Sequence, residues 1–586
     1  MSDQRRSGRD VDLAIGGGGD RRRRRAARSV PRRWLVAGFA TVLYAAAAAG
    51  AASAPSDASL ALVPGQALTA SAGPDETHRY SLVLSASTAT AVTVTQVEGL
   101  VDVYVDGPGP DPLMLRTEAG RNATIDVPLV SAVATHWNFS IRPRKAGARY
   151  HLAVQPVHVA TTQDESRYAG LRQYALAEAL RRENFRETAT MDRLPGVDAR
   201  AREAYEFAGR DFQAAGDNCG AARALIGDAR MEVALGNYAA ARAASEAALV
   251  TSCMDAIADR AQAYKTLGMA AAYQGDFSAS ADAAEEALAL YEQTGDQRYQ
   301  GIVLGNLSAV YMQQGATSRA LGAASRALRV AEANADRQGV VFSQKSIAAI
   351  HLARGELAPA LRDYRLTLQY LAQTPYPMIE GETWNDLGIL YHRLADYDSA
   401  GSAYAQAQRI WRRMNNRTGA ADTMLNQAEA LLDAGRVAGA ARDFRQGLAL
   451  AEADGLMSVE LRAWRGLGAC DARRGDWTAA RARIERSLQI ATATGELAAQ
   501  SSALRALGDV DAGTGRPSEA LENYHRALDL ARQSADLDGE AATLERRART
   551  LANSGQLDAG RADIEQALTL IESQRGQISE DRKSVV

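Results

Sequence analysis

The 586-residue chain is poor in the groups that do chemistry. It has three cysteines, Cys219, Cys253 and Cys470, and seven histidines. His78, His136, His151 and His158 fall in one early segment, and His351, His392 and His525 are scattered through the rest. No His-x-x-x-His pair and no Cys-x-x-Cys ladder occurs, so no recognisable metal site is encoded. The one glycine run, Gly16 to Gly19, follows no strand and makes no phosphate cradle. No catalytic residue and no cofactor is therefore expected, and the chain reads as a non-enzyme. Aromatic residues are only 6% of the chain, while the 46% apolar content is dominated by Ala and Leu, a balance that suits closely packed helices. The body also lacks positive charge. Residues 1–33 hold eleven Arg against four Asp, so a net charge of −3 less this +7 leaves −10 for the remainder. An acidic body argues against nucleic acid as the partner, because phosphate contacts need a basic face.

The basic residues concentrate at the start. Arg21 to Arg25, Arg28, Arg32 and Arg33 precede the uncharged run Trp34 to Ala54, which ends in small residues. That order is the one of an export signal, and the run is also long enough to serve as a membrane anchor. Either reading places everything after Pro55 outside the cytoplasm, so the expectation is an exported bacterial protein, periplasmic or extracellular. Residues 34–54 would be its only tie to a membrane.

What the chain has in abundance is a forty-residue repeat. Gly275, Gly315, Gly355, Gly435, Gly475, Gly515 and Gly555 share one grid, Ala395 fills its open slot, and Gly236 lies one residue out of phase. Five residues after each slot comes a small side chain, from Ala241 and Ser280 to Ala520 and Gly560. Seven further on comes another, from Ala248 and Ala287 to Ala527 and Ala567. A fixed period of this size signals a solenoid built from one helical hairpin per repeat. The small residues belong where helix B crosses helix A and the backbones must approach. Folding the first hairpin at Gly236 would bring Cys219 and Cys253, each 17 residues away, side by side. That fits either a disulfide or two packed thiols. His351 sits where neighbouring repeats have Tyr and is read as a packed residue.

Residues 57–160 follow a different rhythm. Alternation in Arg79 to Leu84, Val101 to Val105, Trp137 to Ile141 and Tyr150 to Val154, with turns such as Gly107-Pro108-Gly109-Pro110, predicts a small antiparallel β-sandwich. Its His-x-Tyr, "VDVYV" and Tyr-x-Leu strands resemble the bacterial pre-peptidase C-terminal type of β-sandwich. Lead-in helices over 164–217 then open onto nine repeats over 219–572.

The repeats resemble the tetratricopeptide family. Repeat five carries Trp384, Leu387-Gly388, Tyr391, Ala400, Tyr404 and Ala407, and repeat eight carries Leu507-Gly508, Ala520, Tyr524 and Ala527. The period of 40 in place of 34, and the missing Pro after helix B, fit the family's long-helix variant. The resemblance implies a mainly α fold, a right-handed superhelical α-solenoid behind the β-sandwich, that binds a protein or peptide in its concave groove. Carried over by position, the groove residues are Arg230, Lys265, Tyr273, Lys345, Asn385, His392, Arg393, Arg462, Arg465, Arg473 and Arg505. A groove this basic suits an acidic peptide or partner loop, although the same residues also fit ordinary solvated helix surface. Asn306 and Asn426 could bond a peptide backbone or brace the adjacent turn.

Residues 573–586 continue the last helix through Gln574-Arg575-Gly576. With the export signal, sandwich and repeats before it, this resembles the bridging helix of bacterial CHAT-domain proteins, which leads into a caspase-like peptidase. Asp581 to Val586 reads like a translated sequencing adaptor, so the expectation is an interaction scaffold truncated ahead of a CHAT domain. The alternative is the extracytoplasmic sensor region of another effector, such as a membrane-bound kinase or regulator.

Overall fold

The computed structural model describes residues 59–107, 112–116, 124–144, 147–187, 196–251, 256–534 and 536–584. The leader 1–54 and Cys253 lie outside these residues. Ten strands come first: β1 (Leu60–Ala61), β2 (Ala67–Ala72), β3 (His78–Leu84), β4 (Thr88–Glu98), β5 (Val101–Asp106), β6 (Leu113–Arg116), β7 (Thr124–Ser131), β8 (Thr135–Pro143), β9 (Ala148–Val154) and β10 (His158–Val159). They form two sheets. One runs β1-β3-β8-β5-β6; in the other, β4 pairs β9 and β10 along one edge and β7 along the other. All pairings are antiparallel except β1 with β3. Strand alternation turns Trp137, Phe139 and Ile141 of β8, and Tyr150, Leu152 and Val154 of β9, into the space between the sheets.

Helices follow: a lead-in pair, Thr162–Glu187 and Val197–Ala214, then nine hairpins from Asn218–Leu235 to Leu557–Ser584. Each full repeat spans two nearly equal halves, because both of its turns use the same device. The A-to-B turn places a left-handed residue at Gly236, Gly275, Gly315, Gly355, Gly435, Gly475, Gly515 and Gly555, and the B-to-A turn does so at Gly295, Ala335, Asn415, Gly455 and Gly495. Ala395, alone among the described A-to-B slots in not being glycine, is forced to φ 56°. The next residue is often a cap. Asp276, Asp296, Asp336, Asp396, Asn416, Asp476 and Asp536 each accept the backbone N–H three residues on, at about 1 kcal/mol apiece. The junction of repeats four and five breaks the scheme. Thr374 is extended at φ −141°, and Pro377 opens the next helix, so this linker lacks the left-handed residue found at Gly295, Ala335, Asn415, Gly455 and Gly495.

The two small-residue columns are buried at the helix crossings, with Ala241, Ala320, Ala400, Ala480 and Ala520 fully covered, and Ala248, Ala287, Ala407 and Ala527 likewise. Helices A touch one another directly across most repeat boundaries, whereas consecutive helices B make no comparable contact. The array therefore curves with its A helices inside. The long last helix also comes against Thr317–Ala333 of repeat three.

The sandwich is not a separate body. Leu171, Ala175, Phe212, Ala221 and Ala224 join the sandwich side chains in one apolar core, and Trp137 meets Tyr168 edge-on at 5.6 Å. Arg167 ties strand β7 through Asp126 at 2.7 Å and the first repeat's cap through Asp217 at 2.8 Å. The sheets thus cover the end of the solenoid that would otherwise expose apolar surface. Cys219 is disulfide-bonded, and Cys470 is free and buried.

One carboxylate of the first repeat opposes the fold. Asp228 is half-buried, and its Oδ1 has no hydrogen-bond partner. Burial, with Glu232 nearby, pushes its pKa up to about 6. Because the folded value lies above the unfolded one, the fold is most favoured while Asp228 is protonated, and that share of stability is lost as pH rises through 6. Asp228→Asn should therefore stabilise the chain by about 1 kcal/mol near neutral pH, after allowance for partial exposure, and by little near pH ~4. Thermal midpoints at the two pH values check this, and an equal shift at both would contradict it.

Candidate functional site

The inner face of the array is a polar seam along the A helices. It begins with Lys345 on helix Arg337–Ala353, whose ammonium reaches forward to Glu382 at 2.7 Å and Asp386 at 3.7 Å on Pro377–Arg393. Burial opposes this charge, but the two carboxylates hold the Lys345 pKa above the usual lysine range. Asp386, partly buried beside them, has its pKa pushed up by desolvation. Asn385 accepts from the Asn426 amide at 3.0 Å, linking repeats five and six. Arg462 on Met457–Arg473 then reaches backward, donating to the Asn426 carbonyl oxygen at 2.8 Å and pairing with Glu429 at 3.3 Å and Asp422 at 3.5 Å. Arg465 points the other way, to the Ser502 hydroxyl on Leu497–Gly513. Arg505 donates to the same hydroxyl at 3.2 Å and to the Gly539 carbonyl at 3.3 Å. Burial, beside neighbouring guanidiniums, lowers the pKa of both Arg465 and Arg505.

Of the residues assigned to the groove from sequence, Lys345, Asn385, Arg462, Arg465 and Arg505 are thus brought together on one surface. Arg230 faces the lead-in helices, 3.8 Å from Glu178, and Lys265 lies over the Tyr299 ring at 4.7 Å. Four others sit near the turns at the ends of their A helices. Tyr273 stacks on Tyr238 at 4.5 Å, His392 pairs with Asp433 at 3.0 Å, Arg393 donates to the Leu352 carbonyl, and Arg473 is exposed. Asn306 is buried in its repeat. His351 lies between Glu356 at 2.5 Å and Asp363 at 3.6 Å.

The sequence reading missed the counter-charges. Glu382, Asp386, Asp422 and Glu429 face the cations across repeat boundaries, so the seam alternates in sign where a basic strip was expected. The signal was available: Glu382, Asp422, Arg462 and Ser502 share one column of the forty-residue grid, and Lys345, Asn385, Arg465 and Arg505 share another. Reading the two columns together gives the ladder. Two clefts of about 390 and 370 Å³ flank helix Tyr397–Arg413, lined by Trp384, Tyr391 and Ser402 and by Tyr404, Leu431 and Arg436, and both open broadly to solvent. Among the described residues no group of three His, Cys, Asp or Glu is placed to hold a metal, and no helix is long and apolar enough to cross a membrane.

Comparison with known proteins agrees with the helical geometry. Residues 459–533 match the tetratricopeptide repeat family, as do residues 381–410. No curated protein is matched. Among solved structures, the Rap protein complexed with competence and sporulation factor is 13% identical, covering 71% of this chain and 99% of that one at a TM-score of 0.45. The apo quorum sensor NprR from B. thuringiensis is also 13% identical, covering 63% and 97% at 0.43. A signal-transduction ATPase with a tetratricopeptide repeat sensor from Pyrococcus horikoshii is 11% identical, covering 73% and 65% at 0.42. The paired helices, the buried small-residue columns and the two matched segments make the array a tetratricopeptide-type solenoid.

Proposed function

We propose that the chain is a non-enzymatic interaction scaffold that binds an extended protein or peptide segment along the A-helix face. The observation that carries this is the seam. Between repeats four and eight, charged side chains of both signs line one curved surface and stay partly exposed: 19% for Lys345, 18% for Arg462 and 30% for Arg465. Partly exposed ions already held in place by neighbours can exchange a partner for a ligand's group with little ordering cost. Because the seam alternates, a segment of mixed charge suits its length, and an acidic stretch suits only the Arg465–Arg505 end.

Affinity capture from extract of the source cells, with the full chain as bait, tests this reading. Arg465→Ser and Arg505→Ser together should lower retention of a captured partner about tenfold or more, the scale of losing one or two charge-assisted hydrogen bonds, with the thermal midpoint little changed. Retention equal to that of the unaltered chain would remove the site from this end of the seam.

We further read the chain as the exported recruiting part of a CHAT-type protease behind a pre-peptidase-like sandwich. The supporting features are the order of its segments and the Ile571-Glu572-Ser573-x-Arg575 helix. A gene whose downstream sequence encodes no caspase-like His and Cys domain would overturn it.

A further inference from the structure

Arg465 and Arg505 stand in one column with Lys345, and the forty-residue grid shows what a cation in that column faces. Lys345 is neutralised by the residues 37 and 41 positions on, Glu382 at 2.7 Å and Asp386 at 3.7 Å. The same two positions after Arg465 hold Ser502 and Ala506, and after Arg505 they hold Ala542 and Arg546. The cations are kept while both carboxylates are replaced. The two guanidiniums instead donate to a single neutral oxygen, the Ser502 hydroxyl. Arg465 has Glu429 at 4.0 Å, but Arg462 holds that carboxylate more closely, at 3.3 Å. Among the described residues Arg505 hydrogen-bonds only to neutral oxygens, those of Ser502 and Gly539. The acids around it are committed elsewhere. Asp509 accepts the Tyr524 hydroxyl at 2.8 Å and faces Arg546 at 3.8 Å, and Asp536 accepts the Gly539 N–H at 2.9 Å as a helix cap.

Two like charges drawn to one hydroxyl repel each other, and partial burial strengthens the repulsion. An anion seated between them reverses its sign. Ser502 can take part: its oxygen already accepts from both arginines, so its own proton is left to donate, and among the described residues no acceptor takes it. We propose that Arg465, Ser502 and Arg505 form a binding site for a phosphate monoester, which supplies the negative charge that Glu382 and Asp386 give to Lys345. The charge count selects phosphate over carboxylate. A phosphate monoester carries about −1.5 to −2 near neutral pH, enough for two guanidiniums, and its three terminal oxygens accept forked N–H pairs and the Ser502 O–H together. A single carboxylate would leave one guanidinium without a counter-charge. Where the phosphate belongs to a segment bound along the seam, the inference rests on the scaffold reading above and names the group that this end of the seam selects; free phosphate shares the chemistry.

Calorimetric titration of the full chain at constant ionic strength tests it, with inorganic phosphate and a short alanine peptide bearing one phosphoserine as probes. The expected result is saturable binding of at least one probe. Ser502→Glu restores a carboxylate at the 37-residue offset, so it should weaken that binding about tenfold or more, the scale of losing one or two charge-assisted hydrogen bonds, and raise the thermal midpoint of the ligand-free chain. Arg505→Ser, which removes charge without adding volume, should weaken binding to a similar degree. Tighter binding of the peptide than of phosphate assigns the site to a phosphorylated segment, and the reverse order assigns it to the free ion; both support the site. No saturable binding, binding indifferent to Ser502→Glu, or equal binding of the same peptide with glutamate in place of phosphoserine overturns it. The titration needs no captured partner, so its failure leaves the capture result standing, and a failed capture leaves the phosphate site standing.

Discussion

Trp411→Ala should destabilise the array by about 3–5 kcal/mol and split its unfolding into two transitions. Trp411, near the end of helix Tyr397–Arg413, is 3% exposed and donates its indole N–H to the Thr423 hydroxyl at 3.0 Å. Its ring fills the space above two glycines on successive A helices. A Cβ at Gly381 would approach the ring to 2.6 Å, and one at Gly419 to 2.8 Å. In the first of these columns repeat four holds Val341, repeat six Ala421 and repeat seven Leu461; the second holds Ile379 and Val459 on either side, and the Trp411 column has smaller residues such as Ala451 and Ala491. Volume has been moved from the A helices to the B helix, so removing the indole leaves a void that no neighbour can fill. In a solenoid, stability is close to a sum of repeat and interface terms, and weakening one interface uncouples the segments on either side. Urea unfolding followed by circular dichroism should resolve two steps in the variant where the parent shows fewer. A single transition shifted by less than about 1 kcal/mol would show that this boundary does not couple the halves.

The compensation at Trp411 illustrates which parts of the fold the sequence exposes. Features that repeat within a column are legible: the left-handed turn glycines, the small residues at helix crossings, and the capping Asp that follows many turns. Strands with strong alternation, β3, β5, β8 and β9, are legible for the same reason. β4 is less so, because Thr and Ala in its sequence TATAVTVTQVE blunt the contrast between faces, and β7 carries Pro128, tolerated because the strand is an edge. Contacts between columns are harder to read. The carboxylates opposite Lys345 and Arg462 lie on neighbouring repeats at offsets of −33, −40 and +37 residues, set by how helices A lean on one another. The shared core of sandwich and lead-in helices has no periodic signal at all. It depends on Leu171, Phe212 and Trp137 meeting across a boundary between two different rhythms.

At that boundary the second large effect is expected, from Glu178. Its carboxylate is 14% exposed on the first lead-in helix and gathers Arg181 at 2.6 Å, Arg182 and Arg230 at 3.8 Å, and the Tyr205 hydroxyl. Burial alone would raise its pKa, but Arg181 and Arg230 outweigh burial and hold it well below the ordinary carboxylate range. Glu178→Ala would leave three guanidiniums, each less than a fifth exposed, around no counter-charge, and should cost about 3–5 kcal/mol at neutral pH. Glu178→Gln, which keeps an acceptor for Tyr205 but not the charge, should cost less. The pH dependence separates this cause from simple loss of packing. With the folded value below the unfolded one, the Glu178 contribution is fully present above the unfolded pKa of 4.5 and is lost as pH falls through the depressed folded value. The deficit of Glu178→Ala relative to the parent should therefore narrow between pH ~7 and pH ~3. Urea midpoints at both values test it, and a deficit that stays constant would mean that Glu178 acts through its shape and not its charge.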